Sequence, residues 1–334
     1  MRDGVRMLLV ATPSFRSMVF SDESVARLEK LGELVMLDDP GDAEALVDAL
    51  PETDVLIPSW GATPLTAEVL AHAPRLRLIA YSASSVKHFV TDEVFRRGIR
   101  LTQAGQAMAR PVAEVSLAFT LMMLHRIHRF DRAMHSGAAW VGAIDTPPQH
   151  GITGSRIGVV GASRTGVEYI AMVVALGADV VVYDPYLTEE RATELGVRRM
   201  DLDELLRTSR VVALHAPTLP ETRQMIGTRE LALMPDGSAL VNTARSWLVD
   251  SDALLAELRT GRIDAALDVF DEEPLPLDSP LRGLPNVVLT PHRAAGTVEC
   301  YLEMGTIVAS EIERYVAGSP LQYELTEAGL ARMA

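Results

Sequence analysis

Short β-branched runs alternate with helical periodicity along almost the whole chain, and that alternation leaves few folds open. Arg6–Ala11, Asp54–Pro58, Arg77–Ser82 and Ile99–Thr102 read as strands. Between them, Asp22–Leu31 places Val25, Leu28 and Leu31 on one helical face, with Gly32 as its stop. Thr63-Pro64 opens a helix running to about His72, and Thr91–Arg97 forms another, ended by Gly98. Strands that alternate with helices in this way imply βαβ units and a parallel sheet.

The pattern changes near residue 105. Pro111 to about Met134 is one long helical stretch that reads as a bridge between two domains, and Trp140–Gly151 reads as a loop. A second alternating series follows, with strands at Arg156–Val160, Asp179–Tyr183, Arg210–His215, Ser238–Asn242, Ile263–Val269 and Val287–Thr290. Its helices include Asp201–Thr208, with a capping box Asp201-x-x-Glu204, and Asp250–Arg259. A last helix spans roughly Thr297–Ala317. At 334 residues, two domains fit, each with its own core.

Composition narrows the function classes. With 31 Lys+Arg against 45 Asp+Glu the net charge is −14, which repels phosphate backbones and argues against broad nucleic-acid binding. The longest apolar stretches fall short of a membrane span, and the first residues lack the pattern of a secretory signal. One cysteine, Cys300, gives no intramolecular disulfide framework. The expectation is a soluble protein of a reducing, cytoplasmic compartment.

The sharpest motif is Ile157-Gly158-Val159-Val160-Gly161-Ala162-Ser163-Arg164-Thr165-Gly166, a strand entering a glycine turn and then a helix. Asp184, 23 residues after Gly161, ends the next strand, as a dinucleotide-binding βαβ unit requires. Gly161 permits the tight turn, the helix start offers free N–H groups to a pyrophosphate, and Gly166 allows close packing of helix on strand. Asp184 would accept hydrogen bonds from ribose hydroxyls and repel a 2′-phosphate, so NAD is favoured over NADP. Ser163 stands where a middle glycine is usual. Its hydroxyl either donates to the phosphate or loosens the approach.

Candidate chemistry gathers at strand ends, where open α/β sheets bind ligands. Arg245 follows Val241-Asn242-Thr243-Ala244, Glu273 follows Asp268-Val269-Phe270, and His292 follows Thr290-Pro291. His215 closes another strand, either as a structural residue or near a cofactor edge. His125 and His128 are spaced for a metal pair, but Arg126, Arg129 and Arg132 beside them favour a solvated basic helix face, and no metal site is expected.

These motifs in this order, with Pro111-Val112-Ala113-Glu114, His215-Ala216-Pro217 and Glu221-Thr222, resemble the D-isomer-specific 2-hydroxyacid dehydrogenases, the group of phosphoglycerate dehydrogenase and glyoxylate/hydroxypyruvate reductases. The resemblance implies two doubly wound parallel α/β domains. A Rossmann NAD-binding domain would span 109–294, and a discontinuous flavodoxin-like substrate domain 1–108 with 295–334. The active site would lie between them. It implies that His292 is the general acid/base, paired with Glu273, which would orient the imidazole and favour its protonated form. Arg245 would bind the carboxylate of a small 2-oxo or 2-hydroxy acid, and Asp268 would orient the nicotinamide. Gly161, Ser163, Arg164, Thr165, Gly166, Asp184, Ala216, Thr222 and Thr243 would line the cofactor.

By the same resemblance, Ser84 and Ser85 would meet the substrate carboxylate in a loop where the family usually has Gly-x-Gly. Here that loop is Ser82-Ala83-Ser84-Ser85-Val86-Lys87, which implies a narrower, more hydroxylated floor. Lys87 is either a contact for a second acidic group or a plain surface lysine. Met108, in a region that often holds Asn, implies a more apolar wall, and Ser246 stands where Gly is common. A homodimer built on the 111–150 region is also implied, with Trp140 either near the partner subunit or an intrachain anchor. Two alternatives keep the fold: a dehydrogenase of another small anion, such as phosphite, and a non-catalytic NAD-sensing protein of the corepressor type.

Overall fold

A computed structural model describes residues 4–331. The chain divides into two compact units, one made of the residues up to Met108 with those from Gly296 onward, the other of Ala109–Ala295.

The first unit holds five strands: β1 (Val5–Val10), β2 (Gly32–Leu37), β3 (Val55–Pro58), β4 (Leu78–Tyr81) and β5 (Arg100–Gln103). All pair in parallel, in the order β2-β1-β3-β4-β5. That is the flavodoxin-like winding, with its switch point between β1 and β3. The inner strands β3 and β4 are buried along their whole length, as strands covered on both faces must be. Helix Val298–Val316, capped by Thr297 Oγ1 on Cys300 N, packs Tyr301, Met304, Ile307, Val308 and Ile312 into one of this unit's cores.

The second unit holds seven: β6 (Arg156–Val160), β7 (Asp179–Tyr183), β8 (Arg198–Arg199), β9 (Val211–Leu214), β10 (Ala239–Asn242), β11 (Asp264–Leu267) and β12 (Val287–Leu289). Their order, β12-β11-β10-β9-β6-β7-β8, is all parallel and reverses between β6 and β9. This is the doubly wound dinucleotide-binding arrangement. Both sheets match the expected fold class.

Several local expectations need correction. Gly32 does more than stop a helix: it begins β2, an edge strand whose half-buried pattern gives little hydrophobic signal. A Cβ at Gly32 would lie 2.0 Å from Val5 O, so only glycine allows the close pairing. The helix placed at Thr63-Pro64 begins later, at Ala67, because Thr66 is the residue whose hydroxyl caps it, on Val69 N. Asp201 starts its helix without a side-chain capping bond. The Trp140–Gly151 loop contains one helical turn, Trp140–Ala143.

The long helix is two. Gln106–Leu124 ends, Arg126 takes a left-handed conformation (φ 56°), and Ile127–His135 follows. The first of these is as long and apolar as a membrane span, contrary to the reading of the apolar stretches. Its Ala109, Ala113, Ser116, Phe119, Thr120, Met123 and Leu124 are instead buried inside the protein.

The basic stretch after it is not a solvated face. Arg126 and His128 are buried, and with Arg129 they surround the buried Asp264 at the start of β11. His128 Nε2 lies 3.2 Å from Asp264 Oδ2. Burial by itself would raise the Asp264 carboxyl, but the close approach of His128, the hydrogen bonds from Arg129 and the charges of Arg129 and Arg126 bring it down to about 2.

Candidate active site

The glycine turn between β6 and helix Arg164–Ala175 is built by steric necessity. Gly161 has φ +98°, and a Cβ there would meet Ala216 N at 2.5 Å and Ala216 Cα at 2.6 Å. A Cβ on Gly166 would meet Gly161 O at 2.2 Å. The turn is therefore a cradle that side chains would fill, with the helix's first N–H groups behind it. Ser163 resolves its own ambiguity in part. Its Oγ accepts from Gly166 N at 3.3 Å as the helix N-cap, and its hydroxyl proton stays available to donate. Arg164 and Thr165 are the first two residues of that helix.

Asp184 closes the unit from the end of β7. Its Oδ2 accepts from Ala162 N (2.7 Å) and its Oδ1 from Tyr186 N (2.8 Å), so the carboxylate is held against the turn. A carboxylate offers about four acceptor positions, so lone pairs remain for ribose hydroxyls. Thr222 spends its hydroxyl locally, accepting from Leu219 N and donating to Pro217 O. Ala216 is buried against the turn. The cradle, the helix start and the fixed acid fit the pyrophosphate and adenosine ribose of a dinucleotide.

His215 lies under the turn. It is buried, its ring packs 4.9 Å from that of Tyr169, and neither ring nitrogen has a hydrogen-bond partner among the described residues. Burial pushes the imidazole down to about 3, so it is neutral.

Beyond the neighbouring strand ends the remaining residues converge. His292 Nδ1 lies 2.7 Å from Glu273 Oε2, while Glu273 Oε1 accepts from Phe270 N at 2.9 Å. The pair is partly exposed, His292 at 46% and Glu273 at 35% of their side chains, so imidazole and ligand can meet. Arg245 is desolvated by burial, which pushes its guanidinium below the ordinary value, and the nearby Glu273 charge pushes it back up. Arg, Glu and His therefore share one electrostatic neighbourhood.

Two residues hold this group in shape. Asn242, missed by the sequence reading, brackets the Arg245 turn: its Nδ2 donates to Arg245 O (2.9 Å) and its Oδ1 accepts from Ala244 N (3.1 Å). Asp268, buried at 1% exposure, accepts from Thr290 Oγ1, Arg293 N (3.0 Å) and Ala294 N (3.0 Å), on both sides of His292. Only adjacency to a candidate signalled Asn242; its buried amide shows in the structure alone.

The first unit places the serine loop after β4. Ser82 is fully buried and its hydroxyl donates to Pro58 O at 2.8 Å, so it is not part of a hydroxylated floor. Ser84 and Ser85 are half-buried. A Cβ at Gly105 would come within 2.4 Å of Ser84 Oγ, so the glycine there leaves room for the serine. Met108 packs into this unit's apolar cores. Trp140 is 73% exposed in the second unit, which excludes the intrachain anchor.

A family model described as the D-isomer specific 2-hydroxyacid dehydrogenase, NAD binding domain, matches residues 117–294. The chain is 34% identical over 301 residues to D-3-phosphoglycerate dehydrogenase of Methanocaldococcus jannaschii, covering 89% of this chain but 56% of that one. It thus spans little more than half that relative's length. It is 32% identical over 302 residues to glyoxylate reductase of Korarchaeum cryptofilum, covering 89% of this chain and 90% of that one. Among solved structures, the apo form of Rhodotorula graminis D-mandelate dehydrogenase matches with TM-score 0.85 at 25% identity, over 97% of this chain and 98% of that one. The chain belongs to the D-isomer-specific 2-hydroxyacid dehydrogenase family, and the glycine turn, Asp184 and the Arg245–Glu273–His292 group all lie in its NAD-binding domain.

Proposed function

We propose that the protein interconverts a small 2-oxo acid and its D-2-hydroxy acid with NAD(H). The observation that carries this reading is the 2.7 Å His292–Glu273 contact beside Arg245. An ionised carboxylate only accepts, so Glu273 fixes the imidazole proton on Nδ1 and leaves Nε2 to exchange a proton with substrate. Nε2 has no hydrogen-bond partner among the described residues. When bound, the dihydronicotinamide supplies the hydride.

The rest falls to the chain's own side chains. In reduction, doubly protonated His292 gives its Nε2 proton to the carbonyl oxygen while Glu273 steadies the ring. In oxidation, neutral Nε2 takes the alcohol proton. Arg245 offers a planar pair of donors to the substrate carboxylate and draws charge from the adjacent carbonyl. Asp184, held against the turn, disfavours a 2′-phosphate, which supports NAD over NADP. We further infer a homodimer built on the 111–150 region and residence in the cytoplasm; the single cysteine, buried and free, fits a reducing compartment.

The test is NADH oxidation with glyoxylate, pyruvate, hydroxypyruvate and phenylpyruvate. Turnover of at least one is expected, and His292→Ala should lower it by at least ~10²-fold. NADH binding without turnover of any of them favours the NAD-sensing reading. A His292→Ala protein with wild-type rates removes the proton-transfer assignment.

A further inference from the structure

Ser116 and Thr120 have no part in the mechanism above. They lie one turn apart on helix Gln106–Leu124, and both are fully buried. Each hydroxyl has a single proton, and each has a carbonyl one turn back to receive it. Ser116 Oγ donates to Val112 O at 2.9 Å, and Thr120 Oγ1 donates to Ser116 O at 2.8 Å. With those protons committed, each oxygen is left as an acceptor, and each faces another hydroxyl. Thr243 Oγ1 lies 2.7 Å from Ser116 Oγ, and Tyr169 OH lies 2.6 Å from Thr120 Oγ1. The direction follows: Thr243 donates to Ser116, and Tyr169 donates to Thr120.

The two donors come from opposite parts of the candidate site. Thr243 follows β10 directly and precedes Ala244-Arg245, in the turn that Asn242 brackets. Tyr169 sits on helix Arg164–Ala175, which begins at the glycine turn, and its ring packs on His215. His215 Cβ in turn would lie 3.3 Å from a Cβ on Gly166. One buried helix therefore receives a hydrogen bond from the Arg245 turn and another from the element that starts the pyrophosphate cradle. All four hydroxyl-bearing residues are at most 5% exposed, so water cannot replace a lost partner.

We propose that Ser116 and Thr120 are positioning residues. Ser116 places the Arg245 turn through Thr243, and Thr120 places the glycine-turn helix through Tyr169. One helix thereby sets the spacing between the carboxylate-binding and pyrophosphate-binding parts of the site. This rests on the function proposed above. It also makes the Thr243 hydroxyl an acceptor only toward any ligand, because its proton is already given to Ser116.

The experiment separates the two arms by ligand binding, without turnover. NADH affinity is measured by fluorescence titration. Oxamate, a 2-oxo acid mimic, is titrated calorimetrically into the NADH-saturated protein. Ser116→Ala is expected to weaken oxamate about fivefold, the worth of one ordinary buried hydrogen bond, and to leave NADH unchanged. Thr120→Val is expected to weaken NADH by a similar factor and leave oxamate unchanged. Tyr169→Phe, which removes one oxygen and keeps the ring, should repeat the Thr120→Val result and guards against a variant that fails to fold. Ser116→Thr and Thr120→Ser, which restore the hydroxyl, should bind both ligands as the wild type does. Equal weakening of both ligands in each variant would mean general loosening and overturn the proposal, as would no change in either. If wild-type protein binds NADH but not oxamate, the substrate reading fails, while the Thr120 and Tyr169 variants still decide this one.

Discussion

His292 holds a backbone conformation, φ 51°, that side chains rarely adopt. Such a residue costs about 1–3 kcal/mol and persists only where its surroundings enforce it. Asp268 is the enforcer, because its two oxygens take the hydroxyl of Thr290 and the N–H groups of Arg293 and Ala294. Asp268→Asn keeps the shape but swaps one acceptor oxygen for a donor nitrogen that faces an N–H. Urea unfolding should show a loss of about 1.5–3 kcal/mol, the range for a hydrogen bond to a charged group. Turnover should fall further than NADH affinity, since the proton donor is displaced and the glycine turn is not. Unchanged stability would mean that the loop holds itself. The glycine turn gives a second prediction. Gly161→Ala puts a methyl 2.5 Å from Ala216 N at φ +98°, so NADH affinity should fall at least ~10-fold in a fluorescence titration. Gly161, Gly166 and Asp184 were legible in the sequence because steric demand fixes both residue type and spacing. The clamp formed by Asp268 was not, since nothing in the spacing of residues 268 and 290–294 says where a carboxylate's two oxygens point.

At the scale of elements, the junction between helices Gln106–Leu124 and Ile127–His135 was misread for a related reason. Helical periodicity locates an apolar stripe and is blind to a partner more than a hundred residues away. His125–Arg132 therefore looked like a solvated basic face, whereas Asp264, at the first position of β11, lies buried among Arg126, His128 and Arg129. That cluster ties the Ile127–His135 helix to the sheet and carries a pH signature. The Asp264 carboxyl is held at about 2 against an ordinary 3.8, so the folded state binds its proton less readily than the unfolded chain. Its contribution is fully present above about pH 4 and is lost as pH falls through 2. Asp264→Asn should cost about 3–5 kcal/mol at pH 7, because three cationic or polar partners are left buried without their anion. Wild-type stability should fall toward that of the variant, by about 2 kcal/mol, as pH drops from 4 to 2. Parallel pH–stability curves for the two proteins would show that the carboxylate has no net stabilising role.

At the scale of the molecule, the alternation carried the parallel pairing of both sheets, while their doubly wound order came from the family resemblance and fits the right-handed crossovers that parallel strands require. What the alternation does not carry is surface use. Ile127, Met134, Trp140, Val141 and Ile144 are 50%, 50%, 73%, 77% and 57% exposed within eighteen residues of one another. Apolar residues scattered singly over a surface need no explanation, but a run of this density next to a helix anchored by a buried ion cluster does. Holding that helix rigid through Asp264 would serve little purpose if its outer side chains met only water. A second copy of the chain, the partner implied by the family resemblance, would cover them symmetrically. Light scattering coupled to size exclusion should therefore give a dimer mass at micromolar concentration. Trp140→Lys combined with Ile144→Glu should shift it to monomer by burying unpaired charge at the contact. The variant should keep its fold by circular dichroism, since neither side chain belongs to the core. A wild-type monomer, or a double variant that stays dimeric, would move the interface elsewhere on the protein and leave the exposed run without a partner.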